Sequence, residues 1–409
     1  MPDGGSRRGL LMVTRGDLFP ADHGGAVAID RLAWGLSRCF GPVYLVTDDR
    51  RRYFAYLDGE LRTFRYPRRF HLGWPRPLLN RWVRLQGVPA GEAFLYRPAC
   101  DGSPARRALF VARQHGVSCY HATYPAFALP CLRCRATLGG TAVLVEHNVE
   151  YQRLAEQVPG LTPRGARYLR RLELMVCGSV DAVVTVSERD RAMLLADGVA
   201  PDRVQTIPHG VDLSAYDAAG ALDLRQKLGF DGAARILIYH GTYQYPPNLD
   251  AMRLMAERIL PAIRDRGVAV KVVAIGSHPP PRSPHPDIVF TGSVESVAPW
   301  LLAADLAVVP LAGGGGTRMK VLDYFAARLP VVSTSKGVEG IPVRDGEEFV
   351  LADDPEPFAA AVERLLAHPD QARAMAARGR AFVEQLDWLV IARRHAALLE
   401  SLGPRVARP

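Results

Sequence analysis

The chain has 409 residues, of which 48% are hydrophobic and 23% are charged, and its formal net charge is +9. This composition is typical of a globular protein of two or three domains and excludes collagen, coiled coils and intrinsic disorder. No apolar run reaches the ~18 residues needed to span a bilayer, and the apolar stretch near the N-terminus is too short for a secretory signal. Six cysteines are too few for a disulfide framework in this length, so we expect reduced thiols and a cytoplasmic protein.

The N-terminal region has the rhythm of a parallel α/β sheet. The predicted elements are, in chain order, a strand from Leu10 to Val13, a loop with Gly24 and Gly25, a helix from Ala26 to Cys39 and a strand from Val43 to Thr47. Short apolar runs alternating with helical patterns are typical of such sheets.

A basic segment from Arg50 to Arg113 accounts for the net positive charge, because it contains fourteen arginines and four acids. Aromatic residues are interleaved with the arginines. The segment is suited to an anionic membrane, a nucleic acid or an acidic acceptor, but an ordinary solvated surface has the same composition. The residues alone leave these alternatives open.

The alternation resumes after this segment. The predicted elements are strand Thr141 to Glu146, a helix from about Arg164 to Cys177, strand Ala182 to Val186, a helix capped by Ser187 with Asp190, strand Arg235 to His240, helix Leu249 to Arg266, strands Val270 to Ile275 and Ile288 to Thr291, helix Val297 to Ala303, strand Leu306 to Pro310, helix Met319 to Arg328 and strand Val331 to Thr334. Strands that are apolar throughout are typical of sheets covered by helices on both faces.

The segment from Val204 to Tyr216 contains Pro208 and Gly210 and separates two similar α/β stretches. It predicts a connection between an N-terminal domain, 1–203, and a second domain, 204–385. Ligands of open α/β sheets bind at the carboxyl ends of the strands. The expected fold class is therefore α/β, with two doubly wound, Rossmann-like domains that face each other across a cleft.

The strongest functional signal is the glycine run Gly313 to Gly316 with the helix start that follows it. A helix N-terminus attracts anions through its free N–H groups and a partial charge of about +0.5. Thr317 is predicted to cap the helix, and Arg318 and Lys320 add two positive charges that oppose the helix dipole. An anion between these cations removes the conflict, so the pattern predicts a phosphate ligand; a flexible loop with solvated cations is the alternative.

Asp323 lies further along the same predicted helix. A carboxylate there is able to accept hydrogen bonds from ribose hydroxyls, or it interacts with Lys320 and the helix start. Phosphate donors beside a hydroxyl-binding carboxylate indicate a sugar nucleotide. The chain has neither a Walker pattern nor G-x-G-x-x-G after Val13, which disfavours nucleotide hydrolysis and hydride transfer.

Five segments carry a resemblance to a known family. They are GGGGTRMKVLDYFAARLPVVSTSKGVEG, VEHNVEY at Val145, IPHGVDLSAYD at Ile207, GTYQYPPNLDA at Gly241 and VFTGSVESVAPWLLAADLAVVP at Val289. The chain resembles glycosyltransferase family 4, the group 1 glycosyltransferases of GT-B fold, in its glycine-loop GGGTR-x-K subgroup. The resemblance covers nearly the whole chain except the segment from Arg50 to Cys134. It implies a C-terminal helix, Trp388 to Leu402 within 386–409, that returns to the first domain.

The resemblance implies a retaining, metal-independent hexosyltransferase that uses a nucleoside diphosphate sugar and no cofactor. The residues that match the family's catalytic positions are His147, Arg318 and Lys320. Those that match or flank its donor-binding positions are Gly24, Gly25, Gly241, Val294, Gly314, Gly315, Gly316, Thr317 and Asp323. On the acceptor side we expect Glu150, Trp74 and Trp82.

Two departures from the family pattern matter. The first glutamate of its E-x7-E motif falls at Gly315, so sugar contacts there fall to the backbone. The segment from Gly241 to Asn248 lacks the arginine and lysine of many members. Arg318 and Lys320 are therefore expected to neutralise the leaving diphosphate alone.

Metal ligation is disfavoured. Cys131 and Cys134 have zinc spacing, with Cys119 and His121 upstream, but no second pair completes four ligands and no D-x-D motif is present. We expect buried thiols and no metal.

The acceptor stays open between a soluble secondary metabolite and a lipid-linked or envelope glycan. In the second case residues 50–113 are expected to touch the inner membrane face. The non-enzymatic alternative is a nucleotide-sugar or nucleic-acid binding protein that uses the same segment. We expect no nucleic-acid partner, because no nucleic-acid motif accompanies the arginines.

Overall fold

The computed structural model describes residues 9–16, 18–19, 21, 24–230 and 234–403. Contacts divide the chain into two compact units. Unit 1 comprises Met1–His209 and Trp388–Pro409, and unit 2 comprises Gly210–Asp387. The end of the first stretch of unit 1 falls within the predicted connection from Val204 to Tyr216.

Unit 1 is built on one largely parallel sheet. Its described strands are β1 (Leu10–Val13), β2 (Val43–Val46), β3 (Arg52–Leu57), β4 (Glu60–Arg65), β5 (Cys119–Thr123), β6 (Thr141–Glu146), β7 (Ala182–Thr185) and β8 (Val204–Thr206). The order across the sheet is β4-β3-β2-β1-β5-β6-β7-β8. Strands β3 and β4 are an antiparallel hairpin at one edge, and the other pairs are parallel except β2 with β3.

Seven helices connect these described strands. They are α1 (Gly24–Cys39), α2 (Arg76–Leu85), α3 (Ser103–His115), α4 (Ala128–Leu138), α5 (Glu150–Gln157), α6 (Pro163–Ser179) and α7 (Glu188–Ala196). The predicted serine cap is confirmed, because Ser187 Oγ accepts a hydrogen bond from the Asp190 N–H at 3.1 Å. Strands β1, β2, β5, β6 and β7 are buried along their whole length, which explains their apolar sequences.

Unit 2 is built on an all-parallel sheet. Its described strands are β9 (Arg235–His240), β10 (Val270–Ile275), β11 (Ile288–Gly292), β12 (Leu306–Val309), β13 (Val331–Ser333) and β14 (Val350–Leu351), in the order β11-β10-β9-β12-β13-β14. Its helices are α8 (Leu213–Ala218), α9 (Leu224–Leu228), α10 (Pro246–Leu254), α11 (Leu260–Asp265), α12 (Ala298–Leu301), α13 (Met319–Ala326), α14 (Pro355–Ala367) and α15 (Pro369–Glu384).

The last helix, α16 (Trp388–Leu402), belongs to unit 1 and packs against α1. The two helices approach closely at Gly35. A Cβ added there would lie 2.7 Å from the Ala392 Cβ and 3.1 Å from the Trp388 carbonyl oxygen. A larger residue at position 35 would force the helices apart.

Of three local predictions, one is correct in outline and two are wrong. The helix predicted from Leu249 to Arg266 is present, but it contains a π-helical turn, Met255–Ile259, because Pro261 lacks an N–H and its ring obstructs the preceding turn. Gly24 and Gly25 are the first residues of α1 rather than loop residues, since a helix start needs no N–H partner inside the helix.

The third concerns Thr317, which does not cap α13. The N-cap residue is Arg318, without a side-chain cap, and Thr317 Oγ1 is buried with no hydrogen-bond partner among the described residues. Thr317 lies one residue too early for the cap position. Within the described ranges, no helix combines the length and apolar character needed to cross a bilayer.

Candidate functional site

The glycine run of unit 2 joins the carboxyl end of β12 to the start of α13. Arg318 is buried, and its guanidinium donates hydrogen bonds to the carbonyl oxygens of Gly315 and of Gly316, the latter at 2.9 Å. A longer contact, at 3.4 Å, reaches the Gly313 carbonyl. The arginine therefore fixes the shape of the run from inside, a role that charge alone did not predict.

Gly314 has no room for a side chain. Its φ is +103°, and an added Cβ would lie 2.8 Å from Tyr245 Oη and 3.2 Å from an Arg318 nitrogen. Tyr245 Oη also accepts a hydrogen bond from the Gly315 N–H at 3.2 Å. The backbone here is held close to polar side chains, which only glycine permits.

Lys320 lies in the first turn of α13 with uncharged partners. Its Nζ donates to Tyr239 Oη at 2.6 Å and to Asn248 Oδ1 at 2.8 Å, and lies 3.8 Å from the centre of the Tyr239 ring. Burial, and secondly the charge of Arg318, hold the pKa of Lys320 well below its ordinary value. A buried ammonium without a carboxylate is costly unless an anion joins it.

The two hydrogen-bond partners of Lys320 lie in β9 and at the start of α10. Tyr239 is in β9, and its hydroxyl donates to Asn248 Oδ1 at 2.6 Å. Gly241 follows β9, where an added Cβ would lie 2.7 Å from Asn248 Nδ2 and 3.1 Å from Lys320 Nζ. The glycine therefore leaves the space that the ammonium and the amide occupy.

Asp323 lies one turn further along α13. Its Oδ1 accepts a hydrogen bond from Tyr216 Oη at 2.8 Å, and its Oδ2 lies 3.4 Å from His240 Nε2. The Asp323 side chain is about a quarter exposed, so it is accessible to a hydroxyl ligand. The predicted alternative partner, Lys320, instead donates to Tyr239 and Asn248.

These residues meet because β9 and β12 are adjacent and parallel, so their carboxyl ends share one edge of the sheet. Val294 follows β11, which lies two strands from β9 in the sheet and ends at the same edge. Tyr216, Tyr239, His240, Tyr245 and Asn248 were missed by the sequence analysis. For Tyr245 and Asn248 the available signal was the segment after β9, but that segment was considered only because it lacks cations.

In unit 1, His147 follows β6 within a cluster of buried rings. It stacks on His209 with centroids 5.2 Å apart and packs against Tyr124 at 5.5 Å. His121 and His395 pair at 5.9 Å. Neither ring nitrogen of His147 has a hydrogen-bond partner among the described residues.

The histidines of this cluster are neutral at physiological pH. Burial lowers the pKa of His121 and of His209 to about 4. Burial, followed by the neighbouring His209, lowers the pKa of His147 well below its ordinary value. A neutral imidazole offers one donor and one acceptor, which is suited to a sugar hydroxyl.

Tyr124 was also missed by the sequence analysis. It directly follows β5, is buried, and has a φ of +71°, a strained conformation for a tyrosine. Its ring contacts that of His147. Backbone strain beside a buried imidazole indicates a position shaped for function, and no motif in the sequence reveals it.

Glu150 is engaged inside unit 1. It is buried at the start of α5, and its Oε2 lies 2.7 Å from an Arg153 guanidinium nitrogen. Arg153 also pairs with Glu92 at 2.9 Å. The other carboxylate oxygen, Glu150 Oε1, accepts a hydrogen bond from Asn148 Nδ2 at 3.2 Å. The carboxylate therefore has internal partners, and its predicted acceptor role stays a prediction.

Trp74 and Trp82 have different neighbours, and their predicted acceptor role stays a prediction. Trp74 is 65% exposed and lines a groove of about 590 Å³ with side chains that include Arg106, Leu109 and Arg133. Trp82 is in α2 and meets Tyr168 edge to face, with ring centroids 6.5 Å apart.

The cysteines with zinc spacing lie in the core. Cys119, Cys131 and Cys134 are buried free thiols, and burial raises the pKa of Cys134 to about 12. Among the residues that the structure describes, no cluster of three or more His, Cys, Asp or Glu side chains is arranged to hold a metal ion.

Two family models match the chain and together span most of it. Glycosyltransferase Family 4 matches residues 23–215, and the group 1 glycosyl transferases match residues 234–368. The chain belongs to this family of glycosyltransferases, which confirms the resemblance seen in the sequence.

The curated relatives include two named D-inositol 3-phosphate glycosyltransferase. The protein of Thermomonospora curvata is 28% identical over 270 residues, which are 59% of this chain and 62% of the relative. That of Thermobispora bispora is 28% identical over 231 residues, which are 51% and 53%. The chain thus spans between about half and three-fifths of the length of these relatives.

Solved structures share the fold. Sucrose-phosphate synthase from Thermosynechococcus elongatus has a TM-score of 0.70 at 18% identity and matches 97% of this chain and 99% of its own. Anabaena Alr3699/HepE, solved in complex with UDP-glucose, has a TM-score of 0.65 at 13% identity and matches 96% and 99%. The predicted class of two parallel-sheet, Rossmann-like units is confirmed, while the cleft between them stays a prediction.

Proposed function

We propose that this chain transfers a sugar from a nucleoside diphosphate donor to a hydroxyl acceptor with retention at the anomeric carbon. The observation that carries the proposal is the surroundings of Lys320. Its ammonium is enclosed by neutral groups beside the buried Arg318 at a glycine-rich helix start.

A diphosphate is the ligand that suits these surroundings. It supplies the negative charge that the site lacks, and the helix N-terminus supplies N–H donors. In the transition state the bond to the anomeric carbon breaks and charge builds on the departing diphosphate. Preorganised donors aimed at that charge are usually the largest catalytic contribution.

The rest of the donor has candidate partners in unit 2. Asp323 accepts from the ribose hydroxyls, and its position is fixed by Tyr216. The backbone of Gly314, Gly315, Gly316 and Thr317 holds the phosphate and sugar oxygens. Val294 and Gly241 follow strands that end at the same edge of the sheet. From there, Val294 contacts the base and Gly241 contacts the diphosphate.

His147 is proposed to bind a hydroxyl of the transferred sugar through its neutral ring. Gly24 and Gly25, at the start of α1, are proposed as further donor-binding residues, because a helix N-terminus is suited to phosphate. No side chain is assigned as the base, since the departing phosphate oxygen takes the acceptor proton on the same face. We propose that neither a metal nor another cofactor is needed, because Arg318 and Lys320 neutralise the leaving group.

For the donor we propose a uridine diphosphate hexose as the first compound to test, since the Anabaena structure holds UDP-glucose. The acceptor is a hydroxyl compound, either a soluble metabolite or a lipid-linked glycan. The names of the relatives make phosphorylated inositol a reasonable first soluble acceptor.

The test has a binding stage and a turnover stage. Calorimetric titration with nucleoside diphosphates and their sugars is expected to give binding that Lys320→Met weakens strongly. Lys227→Met, which alters an exposed lysine elsewhere in unit 2, serves as the matched control. NMR of the product from an α-linked donor is expected to show an α-linkage.

Two results would contradict the proposal in different ways. If no nucleoside diphosphate binds, the assignment of the glycine run and Lys320 is wrong. If the donor binds but neither transfer nor slow donor hydrolysis occurs with any acceptor, the chain is a nucleotide-sugar binding protein.

A further inference from the structure

The exposed apolar side chains of the described residues are concentrated in one short segment of unit 1. Nine large apolar side chains are exposed, and five of them are Leu72, Trp74, Leu78, Trp82 and Leu85. Scattered exposed apolar residues are normal, but a cluster indicates a surface that binds something.

The helical part of this cluster is a regular stripe. Leu78, Trp82 and Leu85 lie at positions i, i+4 and i+7 of α2, so they share one side of the helix. The side that packs against unit 1 carries Leu79 and Val83, which are buried. The helix therefore presents a second apolar stripe outward, beyond the one that its packing uses.

Arginines surround the stripe, and their charge is not neutralised. No acid occurs from Leu61 to Gly91. In this segment, which the structure describes throughout, Arg62 forms an ion pair with Glu60, and the exposed Arg65 at the end of β4 forms none. Five further exposed arginines, in and shortly before α2, also form none: Arg68, Arg69, Arg76, Arg81 and Arg84. We call the five apolar side chains and these five arginines the basic face.

The loop that precedes α2 is held with its apolar side chains outward. Arg50 donates hydrogen bonds to the carbonyl oxygens of Gly73, at 3.2 Å, and of Trp74. Arg76 donates to the Asp48 carbonyl oxygen at 3.3 Å. Leu72 and Trp74 are thus exposed on a fixed backbone, at 75% and 65% respectively.

We propose that the basic face docks this protein on the surface of an anionic phospholipid bilayer. A basic amphipathic helix with tryptophan and leucine on its apolar side is suited to lie in the interface plane, with the rings at headgroup depth. The arginines reach the lipid phosphates while their stems stay along the apolar layer. Each contributes roughly fivefold to partitioning.

Other occupants fit the basic face less well. A second copy of the chain would place five unpaired arginines against five more, which repel each other. A nucleic acid would leave the leucines of the stripe without a partner, since nucleic-acid sites use basic and aromatic side chains. The bilayer is the partner that satisfies both the charge and the apolar stripe.

The experiment is flotation of the full chain with vesicles, without any sugar nucleotide. Vesicles of phosphatidylcholine with 30 mol% phosphatidylglycerol are expected to bind the protein at low salt, and neutral vesicles to bind it weakly. Arg81→Glu with Arg84→Glu is expected to lower binding at least twentyfold. Arg264→Glu with Arg394→Glu makes the same change of net charge on exposed arginines elsewhere and is expected to leave binding intact.

A second pair of variants isolates the apolar stripe. Leu78→Ser with Leu85→Ser is expected to lower binding roughly tenfold or more at an unchanged net charge. Brominated lipids are expected to quench the tryptophan fluorescence of the unaltered chain, and Trp74→Phe to reduce that quenching. The quenching needs no destabilising substitution, so it decides the question even where a variant folds poorly.

The docking proposal fails if neutral and anionic vesicles bind equally, if neither binds, or if the variants change only the dimerisation of the chain. Preferential binding of single-stranded RNA over vesicles also overturns it. The proposal does not rest on glycosyl transfer. Lys320→Met is expected to float like the unaltered chain, so failure of the donor site and failure of docking are separate results.

Discussion

The basic face of unit 1 and the helix start after the glycine run of unit 2 both contain positive charges, but the first set is exposed and the second is enclosed. On the basic face the arginines are exposed and their charge is screened by water and salt. At the helix start that follows the glycine run, Arg318 is buried against carbonyl oxygens, and Lys320 is enclosed by neutral groups. The same charge is therefore suited to an extended anionic surface in one place and to a single bound anion in the other.

Lys320→Met gives the largest expected effect. We expect kcat/KM for the donor to fall about 10²- to 10³-fold, the usual cost of removing one donor to a developing charge. The free energy of unfolding without ligand is expected to stay the same or rise, because the variant removes a half-buried charge that has only neutral hydrogen-bond partners. Tyr239 and Asn248 keep their mutual hydrogen bond at 2.6 Å.

Steady-state kinetics and thermal melting of the same preparation check this prediction. Lys227→Met is the control for loss of a lysine. Near-normal turnover in Lys320→Met would remove the leaving-group assignment, and a large loss of stability would show that the lysine is structural.

Asp323→Asn is expected to have a smaller effect, because it changes recognition rather than the reacting centre. Helix α13 has a partly exposed acid, Asp323, one turn beyond Lys320, whereas the basic face has no acid between Leu61 and Gly91. We expect the KM for the donor to rise about tenfold with little change in kcat.

Tyr216→Phe is the companion variant for Asp323. It removes the 2.8 Å hydrogen bond but keeps the carboxylate, so its KM is expected to rise less than that of Asp323→Asn. The ribose assignment is wrong if both variants bind the donor like the unaltered chain.

The pH dependence of stability sharpens the comparison further. The pKa of Lys320 is lowered by folding. Between that lowered value and the ordinary value of ~10.4, the unfolded chain holds more protons than the folded chain. This lysine therefore makes stability rise with pH across that window, and the full cost of its burial is present below it.

Urea unfolding at several pH values from 7 to 9 tests this sign. We expect the advantage of Lys320→Met over the unaltered chain to be largest at pH 7 and to shrink as the pH rises. A difference that is independent of pH would show that Lys320 keeps its ordinary pKa in the folded chain.

The sequence predicted the sheets far better than it predicted the basic segment. Strands β9 and β10 were predicted with the bounds that the structure shows, because an apolar run buried on both faces leaves little choice. Strand β4 and helix α2 were not predicted. Strand β4 is largely exposed, so hydrophobic periodicity gives little signal there. Helix α2 does have apolar residues at helical spacing, but this signal was overlooked because the basic segment was considered for its charge.

The candidate site divides in a similar way. Arg318 and Lys320 were found because two cations at a helix start are unusual in any context. Tyr239 and Asn248, which contact Lys320, and His240, which lies near Asp323, were missed because these contacts depend on β9 lying beside β12, which no local pattern records. The strained φ of Tyr124 likewise needs the backbone of the fold.

The smallest expected effect concerns the stability of the basic face. Arg81→Ala with Arg84→Ala is expected to change the free energy of unfolding by no more than about 0.5 kcal/mol, because exposed side chains without ion pairs contribute little to folding. Urea unfolding measures this. A loss above about 2 kcal/mol would mean that these arginines hold α2 in place. Their unpaired charge would then serve the fold, and the contrast with the glycine run would lose its functional meaning.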